Sequence, residues 1–382
     1  MAYSYDIIIF GGGIAGLFIA NRLQRAGYNL ILIEKDVLGG VQTLASQGMI
    51  HGGQKYVLQG GISGHAATIA EMPARWEACF AGEGEVDLSG VTFLSEQQMM
   101  FPAGSLLSAL SVFAAAKAVQ GKTRKLKRCK YPDIFRRGPV YEMQEKVLET
   151  KSLVTALSGH LEGQIYKGEV QELLPDGQVV VSGLPMRAQM IIFASGTGNE
   201  TALSLLRIKE QHTQRRPLRQ IMVKSLPDPL YGHGIESKPK PRVTVTSHPL
   251  GSGEYVWYLG GNVAEEGAKL SEGDALRFAK QEMQEIFPHI DWAQKEWASW
   301  CGDRAEPFDP DGHLPQGPCV QQRGKVLLAW PTKMTFAPVL ADQIVERLRQ
   351  SNIMSSAATE PPELPKPKMG LYPWEEARWQ HL

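Results

Sequence analysis

The chain has 382 residues, of which 43% are apolar and 21% are charged, an ordinary composition for a globular protein. The 40 basic residues balance the 40 acidic ones, so no overall charge favours nucleic acid as a partner. The four cysteines are scattered and form no C-x-x-C pair, which argues against a zinc site and against a disulfide framework. We therefore expect no metal and a reducing, cytoplasmic location.

The N-terminal segments predict a βαβ unit. "YDIIIF" at 5–10 is a continuous apolar run ending in glycines, as expected for a strand buried on both faces of a parallel sheet. "IAGLFIANRLQRAG" then has a helical pattern that stops at Gly27, and "NLILIE" at 29–34 predicts the second strand. This alternation is typical of an α/β fold.

The later segments predict a second kind of sheet. "QVVVSG" and "QMIIFASGTGN" are typical of strands, but between 219 and 260 the period-two pattern predicts an antiparallel sheet with one solvated or ligand-facing side. Helices are predicted for "EGDALRFAKQEMQEIF" at 272–287 and for "TFAPVLADQIVERLRQ", which follows the buried-type strand "KVLLAW". The proline-rich C-terminal segment is expected to be extended until "YPWEEARW" supplies aromatic anchors.

The turn after the first strand predicts a dinucleotide site. Gly11, Gly13 and Gly16 form G-x-G-x-x-G where the strand ends and the helix begins, and Glu34 ends the second strand. The glycines permit a tight turn, close approach of a diphosphate and close helix packing, while the carboxylate accepts ribose hydroxyls. The helix N-terminus favours the anionic diphosphate. Glu34 would repel a 2′-phosphate, which argues against a cofactor that carries one.

Several segments, taken together, resemble a known family. "DIIIFGGGIAGLFIANRLQRAGYNLILIEKD" followed by "SQGMIHGGQKY" is similar to the FAD-dependent oxidoreductases of the D-amino-acid oxidase superfamily, and most like its flavin-linked glycerol-3-phosphate dehydrogenases. "IIFASGTGN", "GDRAEP" and "PTKMTFAPVLADQIVERL" match further family segments in the same order. The resemblance implies FAD as the cofactor and a small anionic molecule as the substrate.

The motif and the resemblance together predict the cofactor contacts. They are Gly11, Gly13, Ile14, Ala15, Gly16, Glu34, Lys35, Gly52, Gly53, Val170, Ala194, Ser195, Gly196, Thr332, Lys333 and Met334. The helix predicted to start near Thr335 would direct its N-terminal amides at the flavin N1–C2=O locus, where reduced flavin accumulates negative charge.

Three cations occupy positions that the resemblance places around the substrate's anionic group: Lys55, Arg304 and Lys333. Arginine grips a carboxylate or phosphate through two hydrogen bonds, whereas lysines act as point charges. Two positions depart from the glycerol-phosphate enzymes, because Lys55 stands where they have arginine and Pro331 replaces a glycine. A carboxylate is therefore as consistent with the sequence as glycerol 3-phosphate.

His51 is the candidate general base, because a neutral imidazole accepts a hydroxyl proton near pH 7. Two alternatives stay open for it: positioning of the flavin ring, and a covalent tether to the flavin. His248 is a rival base at the end of a predicted strand, preferred to His233. Cys301 is a weaker candidate for a thioether to the flavin, as found in sarcosine oxidases of the superfamily.

One surface segment suggests a membrane contact. The apolar helix predicted at 106–119 adjoins the basic stretch "GKTRKLKRCKYPDIFRRG", so 106–138 is either a solvated loop or a surface that docks peripherally on the inner face of a membrane. Such docking would suit a dehydrogenase that passes electrons to quinone rather than to oxygen.

The sequence thus predicts a two-domain α/β flavoprotein. A Rossmann-like FAD-binding domain is assigned to 1–80, 140–212 and 300–350, an inserted antiparallel-sheet substrate domain to 81–139 and 213–299, and a proline-rich tail to 351–382. The predicted reaction is oxidation of a CH–OH group on a glycerol phosphate or 2-hydroxy acid. The alternatives are CH–NH oxidation of an amino acid or N-methyl amine, and a non-catalytic flavin-binding subunit of a larger complex.

Overall fold

A computed structural model describes residues 3–50, 64–104, 110–112, 114, 123–136, 138–210, 212–236, 240–251, 253–311, 315, 317–357 and 360–382, with only the backbone for 64–70. The strands are β1 (Tyr3–Phe10), β2 (Leu30–Glu34), β3 (Val37–Leu38), β4 (Phe93–Ser95), β5 (Gln98–Pro102), β6 (Thr123–Lys125), β7 (Tyr141–Met143), β8 (Val147–Leu148), β9 (Ile165–Lys167), β10 (Val170–Leu173), β11 (Gln178–Val181), β12 (Leu184–Phe193), β13 (Thr213–Leu226), β14 (Gly232–Ile235), β15 (Val243–Pro249), β16 (Tyr255–Gly260), β17 (Glu296–Pro307), β18 (Cys319–Arg323), β19 (Val326–Trp330), β20 (Lys368–Met369) and β21 (Gln380–His381).

The α-helices of the described ranges are α1 (Ile14–Arg25), α2 (Gly64–Phe80), α3 (Thr150–Gly159), α4 (Asn199–Leu205), α5 (Asn262–Gly267), α6 (Glu272–Ile286) and α7 (Ala337–Gln350). Short 3-10 turns lie at Arg128–Lys130, Gly196–Gly198, Trp292–Gln294, Met334–Phe336 and Pro373–Glu375. The predicted helices at 14–27, at 272–287 and after Thr335 are all present. None of the helices in these ranges is both long and apolar enough to cross a membrane.

The first sheet carries the predicted parallel core. Its order is β10–β11–β12–β1–β2–β9, with β19 also paired to β12 and β18 paired to β19. β1 runs parallel to β12 and β2, and both of its faces are buried: Ile7 and Ile9 pack with α1 and α7, while Ile8 belongs to a cluster on the opposite face. This two-sided burial explains why "YDIIIF" is apolar without alternation.

The second sheet has nine strands in the order β21–β17–β13–β16–β15–β14–β5–β7–β6. Neighbours are antiparallel except β14 and β5. In the first half of β13, Arg216, Leu218 and Gln220 line a cavity at period two. Only Gln220 lies in the range 219–260 for which a ligand-facing side was predicted. Further along, the expectation of a solvated face is wrong: Val223 packs on α6, and Met222 faces the core of the first sheet.

The described part of the chain is a mixed α/β structure built on these two sheets, as predicted. The predicted domain boundaries do not coincide with the sheets. The segments 140–212 and 300–350 were assigned to the FAD-binding domain, but β7 and all of β17 belong to the nine-stranded sheet. The boundaries themselves stay a prediction.

The C-terminal segment contributes two short strands, of which β20 forms a separate two-stranded sheet with β3 and β21 joins the nine-stranded sheet. β20 pairs with β3 beside the nucleotide turn, and β21 pairs with β17 at the edge of the second sheet. Between them Trp374 is buried as a predicted aromatic anchor. The Leu382 carbonyl oxygen accepts a hydrogen bond from Lys280 Nζ at 2.5 Å. The segment thus spans both halves of the fold.

Candidate active site

The nucleotide turn requires glycine for two different reasons. Gly11 has φ of +113°, and a β-carbon there would lie 2.6 Å from the carbonyl oxygen of Ala194. A β-carbon on Gly16 would lie 1.9 Å from the carbonyl oxygen of Gly11. The first glycine therefore permits the turn against β12, and the third permits α1 to pack on β1, as the motif predicts.

Glu34 faces this turn from the end of β2. Its Oε2 accepts a hydrogen bond from Gly12 N at 2.6 Å, and its Oε1 accepts one from Asp36 N at 2.8 Å. Helix α1 begins after Gly13 with no acidic residue in its first turn, and its first amide, Ile14 N, donates to the uncharged hydroxyl of Thr43 at 3.0 Å. This turn fits a diphosphate at the helix start and a ribose at Glu34.

A cavity of about 880 Å³ extends from this turn toward the second sheet. That volume is within the range of cofactor and substrate pockets. Of the predicted cofactor contacts, it is lined by Gly11, Gly13, Ile14, Ala15, Glu34, Lys35, Val170, Ala194, Ser195, Gly196, Thr332, Lys333 and Met334. Gly16 lies behind the lining, where it packs against Gly11, and Gly52 and Gly53 lie outside the described residues.

The turn after β12 is held by a buried asparagine. Asn199 Oδ1 accepts hydrogen bonds from Ser195 N at 3.0 Å and from Ser195 Oγ at 3.1 Å. Its Nδ2 donates to the Ala329 carbonyl oxygen at 3.1 Å, which ties the turn to β19. Asn199 thus keeps Ala194, Ser195 and Gly196 in place beside Gly11.

The turn between β19 and α7 carries the third group of predicted contacts. Thr332 adopts φ of +60°, an unusual conformation for a residue with a branched β-carbon, and Lys333 then returns to extended backbone before the 3-10 turn. Trp76 Nε1 donates to the Thr335 carbonyl oxygen at 3.0 Å and fixes the start of this turn. Lys333, Met334 and Thr335 all line the cavity.

At the far end of the cavity, three cations lie close to two carboxylates. Arg216 and Arg304 are directly opposite one another on the antiparallel strands β13 and β17, and Lys240 lines the same region. Arg216 pairs with Glu306, Lys240 pairs with Glu265, and Arg304 Nη2 lies 3.5 Å from Glu265 Oε1. The three cations exceed these two carboxylates by one charge.

Arg304 has the least satisfied guanidinium of the cluster. Its Nε and Nη2 are both buried, and neither has a hydrogen-bond partner among the described residues. Burial, followed by the neighbouring charge of Arg216, lowers the pKa of Arg304 to about 10, so it stays protonated at neutral pH. Nε and Nη2 form one edge of the planar guanidinium, which matches the two oxygens of a carboxylate.

The predicted catalytic residues divide into three groups. Arg304 and Lys333 line the cavity, while His51 and Lys55 lie outside the described residues. His248 is not among the lining residues: its ring is buried beneath Trp374, and burial lowers its pKa to about 3. It is neutral at pH 7 but is enclosed by protein, so we do not propose it as a base.

The two residues that competed with these candidates are also away from the cavity lining. His233 is buried, with its Nδ1 3.0 Å from Thr244 Oγ1. Cys301 is exposed and is not among the lining residues, although its neighbours Trp300 and Gly302 are. The hypothesis of a flavin thioether at Cys301 gains no support from this position.

Several lining residues were missed from the sequence: Gln47, Arg216, Gln220, Lys240, Glu265 and Glu306. The one sequence signal for them was the period-two placement of Arg216, Leu218 and Gln220 in "RRPLRQ", which puts these side chains on one face of a strand. Lys240 and Glu265 carry no such signal, because they reach the site only through the pairing of distant strands.

The comparisons with known proteins cover almost the whole chain. Residues 6–347 match the family described as "DAO: FAD dependent oxidoreductase". The probable FAD-dependent oxidoreductase PA4991 of Pseudomonas aeruginosa is 40% identical over 386 residues, which cover 98% of this chain and 99% of the relative. The crystal structure of PA4991 matches with a TM-score of 0.84 and 36% identity over 98% of each chain.

Two further similarities are more limited. Glycine oxidase from Geobacillus kaustophilus has a TM-score of 0.64 and 16% identity over 94% of this chain and 97% of its own, which shows a shared fold alone. A glycerol-3-phosphate dehydrogenase of Pseudomonas tolaasii is 40% identical over 57 residues, covering 15% of this chain and 11% of that protein. The likeness to the glycerol-phosphate enzymes is therefore partial.

Proposed function

Because the chain belongs to the DAO family of FAD-dependent oxidoreductases, we propose that it oxidises the CH–OH carbon of a small carboxylate, a 2-hydroxy acid, in the cavity between its two sheets. When bound, FAD supplies the hydride acceptor for this C–H oxidation. The protein's own residues bind and orient the substrate and take up the hydroxyl proton.

The observation that carries this proposal is the Nε–Nη2 edge of Arg304, which makes no hydrogen bond to the described residues. Two buried guanidinium nitrogens without a hydrogen bond to the described part of the chain are costly, and a carboxylate is the ligand that satisfies both at once. Trp300 and Leu218 supply apolar wall beside the cations, which suits the short carbon chain of the substrate. His51 remains the proposed proton acceptor, on the sequence argument.

Charge favours a hydroxy acid over the other two substrate classes. A carboxylate brings one negative charge to a cluster with one excess positive charge, whereas a phosphate dianion would leave an excess of negative charge next to Glu265 and Glu306. An amino acid would bring an ammonium group together with its carboxylate and would therefore leave the excess positive charge uncompensated, and a simple amine would add to it. Lys55 and Lys333 would offset part of the excess negative charge that a phosphate dianion brings. Glycerol 3-phosphate is therefore the second candidate, and the 57-residue match to a glycerol-3-phosphate dehydrogenase also supports it.

The proposal is tested by mixing the yellow holoprotein anaerobically with 2-hydroxy acids, glycerol 3-phosphate and amino acids and recording the loss of flavin absorbance. We expect bleaching by a 2-hydroxy acid. Bleaching by an amino acid instead, with no response to any hydroxy acid, would replace the proposal with CH–NH oxidation.

A variant pair tests the role of Arg304. Arg304→Leu should raise KM at least about 30-fold while the FAD content stays unchanged, since loss of one partner of a buried charge pair costs roughly 2–5 kcal/mol. Arg277→Leu is the matched control, because Arg277 pairs with Asp274 on the exposed side of α6. Equal KM values for the two variants would contradict the role of Arg304.

A further inference from the structure

Arg216 and Arg304 are neighbours of the same charge with very different counter-ions. Glu306, which pairs with Arg216, is only 2% exposed and also lies 3.4 Å from Gln214 Nε2. The Glu306 carboxylate is therefore buried and forms an ion pair with Arg216. Glu265, near Arg304, is 29% exposed and makes a contact of 3.5 Å that lacks hydrogen-bond geometry. The charge of Arg216 is therefore balanced within the protein, while that of Arg304 is balanced loosely.

Glu265 is also positioned so that it can exchange partners. It lies on the short helix α5, which follows Gly261 with φ of +74° at the end of β16. One of its carboxylate oxygens pairs with Lys240, and the other lies near Arg304 Nη2. If it leaves Arg304, its charge is still paired with Lys240, so the exchange does not leave a carboxylate without a partner.

We infer that Glu265 is a specificity-determining residue: it is the internal counter-ion of Arg304 that the substrate's carboxylate displaces, and its remaining charge selects monoanions over dianions. This inference rests on the proposed function, in which the cavity holds an anionic substrate. When Glu265 pairs with Lys240 and Glu306 pairs with Arg216, the single positive charge of Arg304 remains to balance the ligand. A dianion would exceed that charge a few ångströms from a carboxylate, and the repulsion lowers its affinity.

The inference is tested by anion binding, which needs no turnover. Acetate and, at a pH where it is a dianion, inorganic phosphate are titrated into the oxidised holoprotein, with the change in the flavin absorbance spectrum as the measure of binding. Wild type should bind acetate more tightly than phosphate. Glu265→Gln, which keeps the size of the side chain, should lower the dissociation constant of phosphate about 10-fold or more and that of acetate less, so that the preference reverses.

The adjacent glutamate provides the matched control. Glu266 pairs with Lys269 through contacts of 2.9 and 3.0 Å and is absent from the described lining of the cavity. Glu266→Gln should retain the wild-type ratio of the two dissociation constants. If Glu265→Gln gives the same ratio as Glu266→Gln, the inference is overturned even when 2-hydroxy acids bleach the flavin. If neither anion perturbs wild type, the anion pocket fails, and the proposed function fails with it.

A second variant, Glu265→Asp, keeps the inference testable if Glu265→Gln fails to fold. Glu265→Asp keeps the charge but withdraws it by one methylene group, so it should keep the preference for acetate. A reversed preference in this variant would show that side-chain length rather than charge decides selectivity, and would overturn the inference. FAD content, measured for every variant, separates loss of the cofactor from loss of anion binding.

Discussion

The ring of Trp374 lies on the ring of His248, with centroids 4.0 Å apart and planes inclined by 33°. Trp374 belongs to the C-terminal segment, whereas His248 is on β15 in the second sheet. Tyr372 stacks on Trp374 from the same segment, at 4.4 Å and 16°. Tyr258 contacts Trp374 edge-on and donates a hydrogen bond to the Ala45 carbonyl oxygen at 2.9 Å. The aromatic stack therefore connects the C-terminal segment to a loop that lines the cavity.

Removal of Trp374 tests whether this segment stabilises the whole fold. Trp374→Ala should lower the free energy of unfolding by about 3 kcal/mol or more, because it deletes a buried indole and opens a cavity beneath it. Urea unfolding followed by circular dichroism measures the loss. Leu371→Ala is the control, since Leu371 is 54% exposed and its truncation removes little buried area. Equal free energies of unfolding for the two variants would show that packing of this segment does not stabilise the fold.

Burial of His248 predicts a pH dependence of stability. Its pKa is lowered to about 3, whereas an unfolded histidine titrates near 6.5, so between these values the unfolded chain binds a proton that the folded protein does not. This contribution to stability is complete above pH 6.5 and falls as pH decreases toward 3, by up to about 1.4 kcal/mol per pH unit. The rings packed on His248, those of Tyr258, Tyr372 and Trp374, carry no charge in that range.

His248→Phe keeps a ring in the stack but removes the titration. Its free energy of unfolding should fall less steeply than that of wild type between pH 6.5 and 4, as measured by urea unfolding at each pH. His160→Gln serves as the control because it removes an exposed histidine. Parallel curves for wild type and His248→Phe would mean that other groups determine the acid sensitivity.

The nucleotide half of the site was predictable because its signals are local. Gly11, Gly16 and Glu34 lie within one βαβ unit, and the geometry of that unit requires each residue type at its position. The turn after β12 was also predicted, although its support by Asn199 was not. In each case the residues that carry the signal are close in sequence or belong to a pattern with a short period.

The substrate end was predicted incompletely because its contacts depend on long-range strand pairing. Arg304 was found by resemblance, but Arg216 became its neighbour only through the register of β13 with β17, which no local pattern specifies. Lys240 and Glu265, which line the same end of the cavity, lie on two further segments of the chain. His248 was placed correctly on a strand end, yet its accessibility is decided by Trp374, which is far away in the chain.

Close approach of Gly11 to Ala194 predicts that cofactor binding depends on the absence of a side chain at this one position. In Gly11→Ala the new methyl group would lie 2.6 Å from the Ala194 carbonyl oxygen, a distance at which the backbone must shift. That shift displaces both glycine-rich turns that line the cavity. The variant should therefore purify without flavin colour, measured as visible flavin absorbance relative to protein absorbance.

Gly27→Ala separates this steric effect from backbone strain. Gly27 also has a positive φ, +86°, but a β-carbon there would meet nothing within 4 Å. Both variants carry the penalty of about 1–2 kcal/mol for a left-handed alanine, and only Gly11→Ala carries the clash. Gly27→Ala should thus lose some stability and stay yellow. Full flavin occupancy in Gly11→Ala would mean that the two turns separate without harm, and that their close contact is not what holds the cofactor site together.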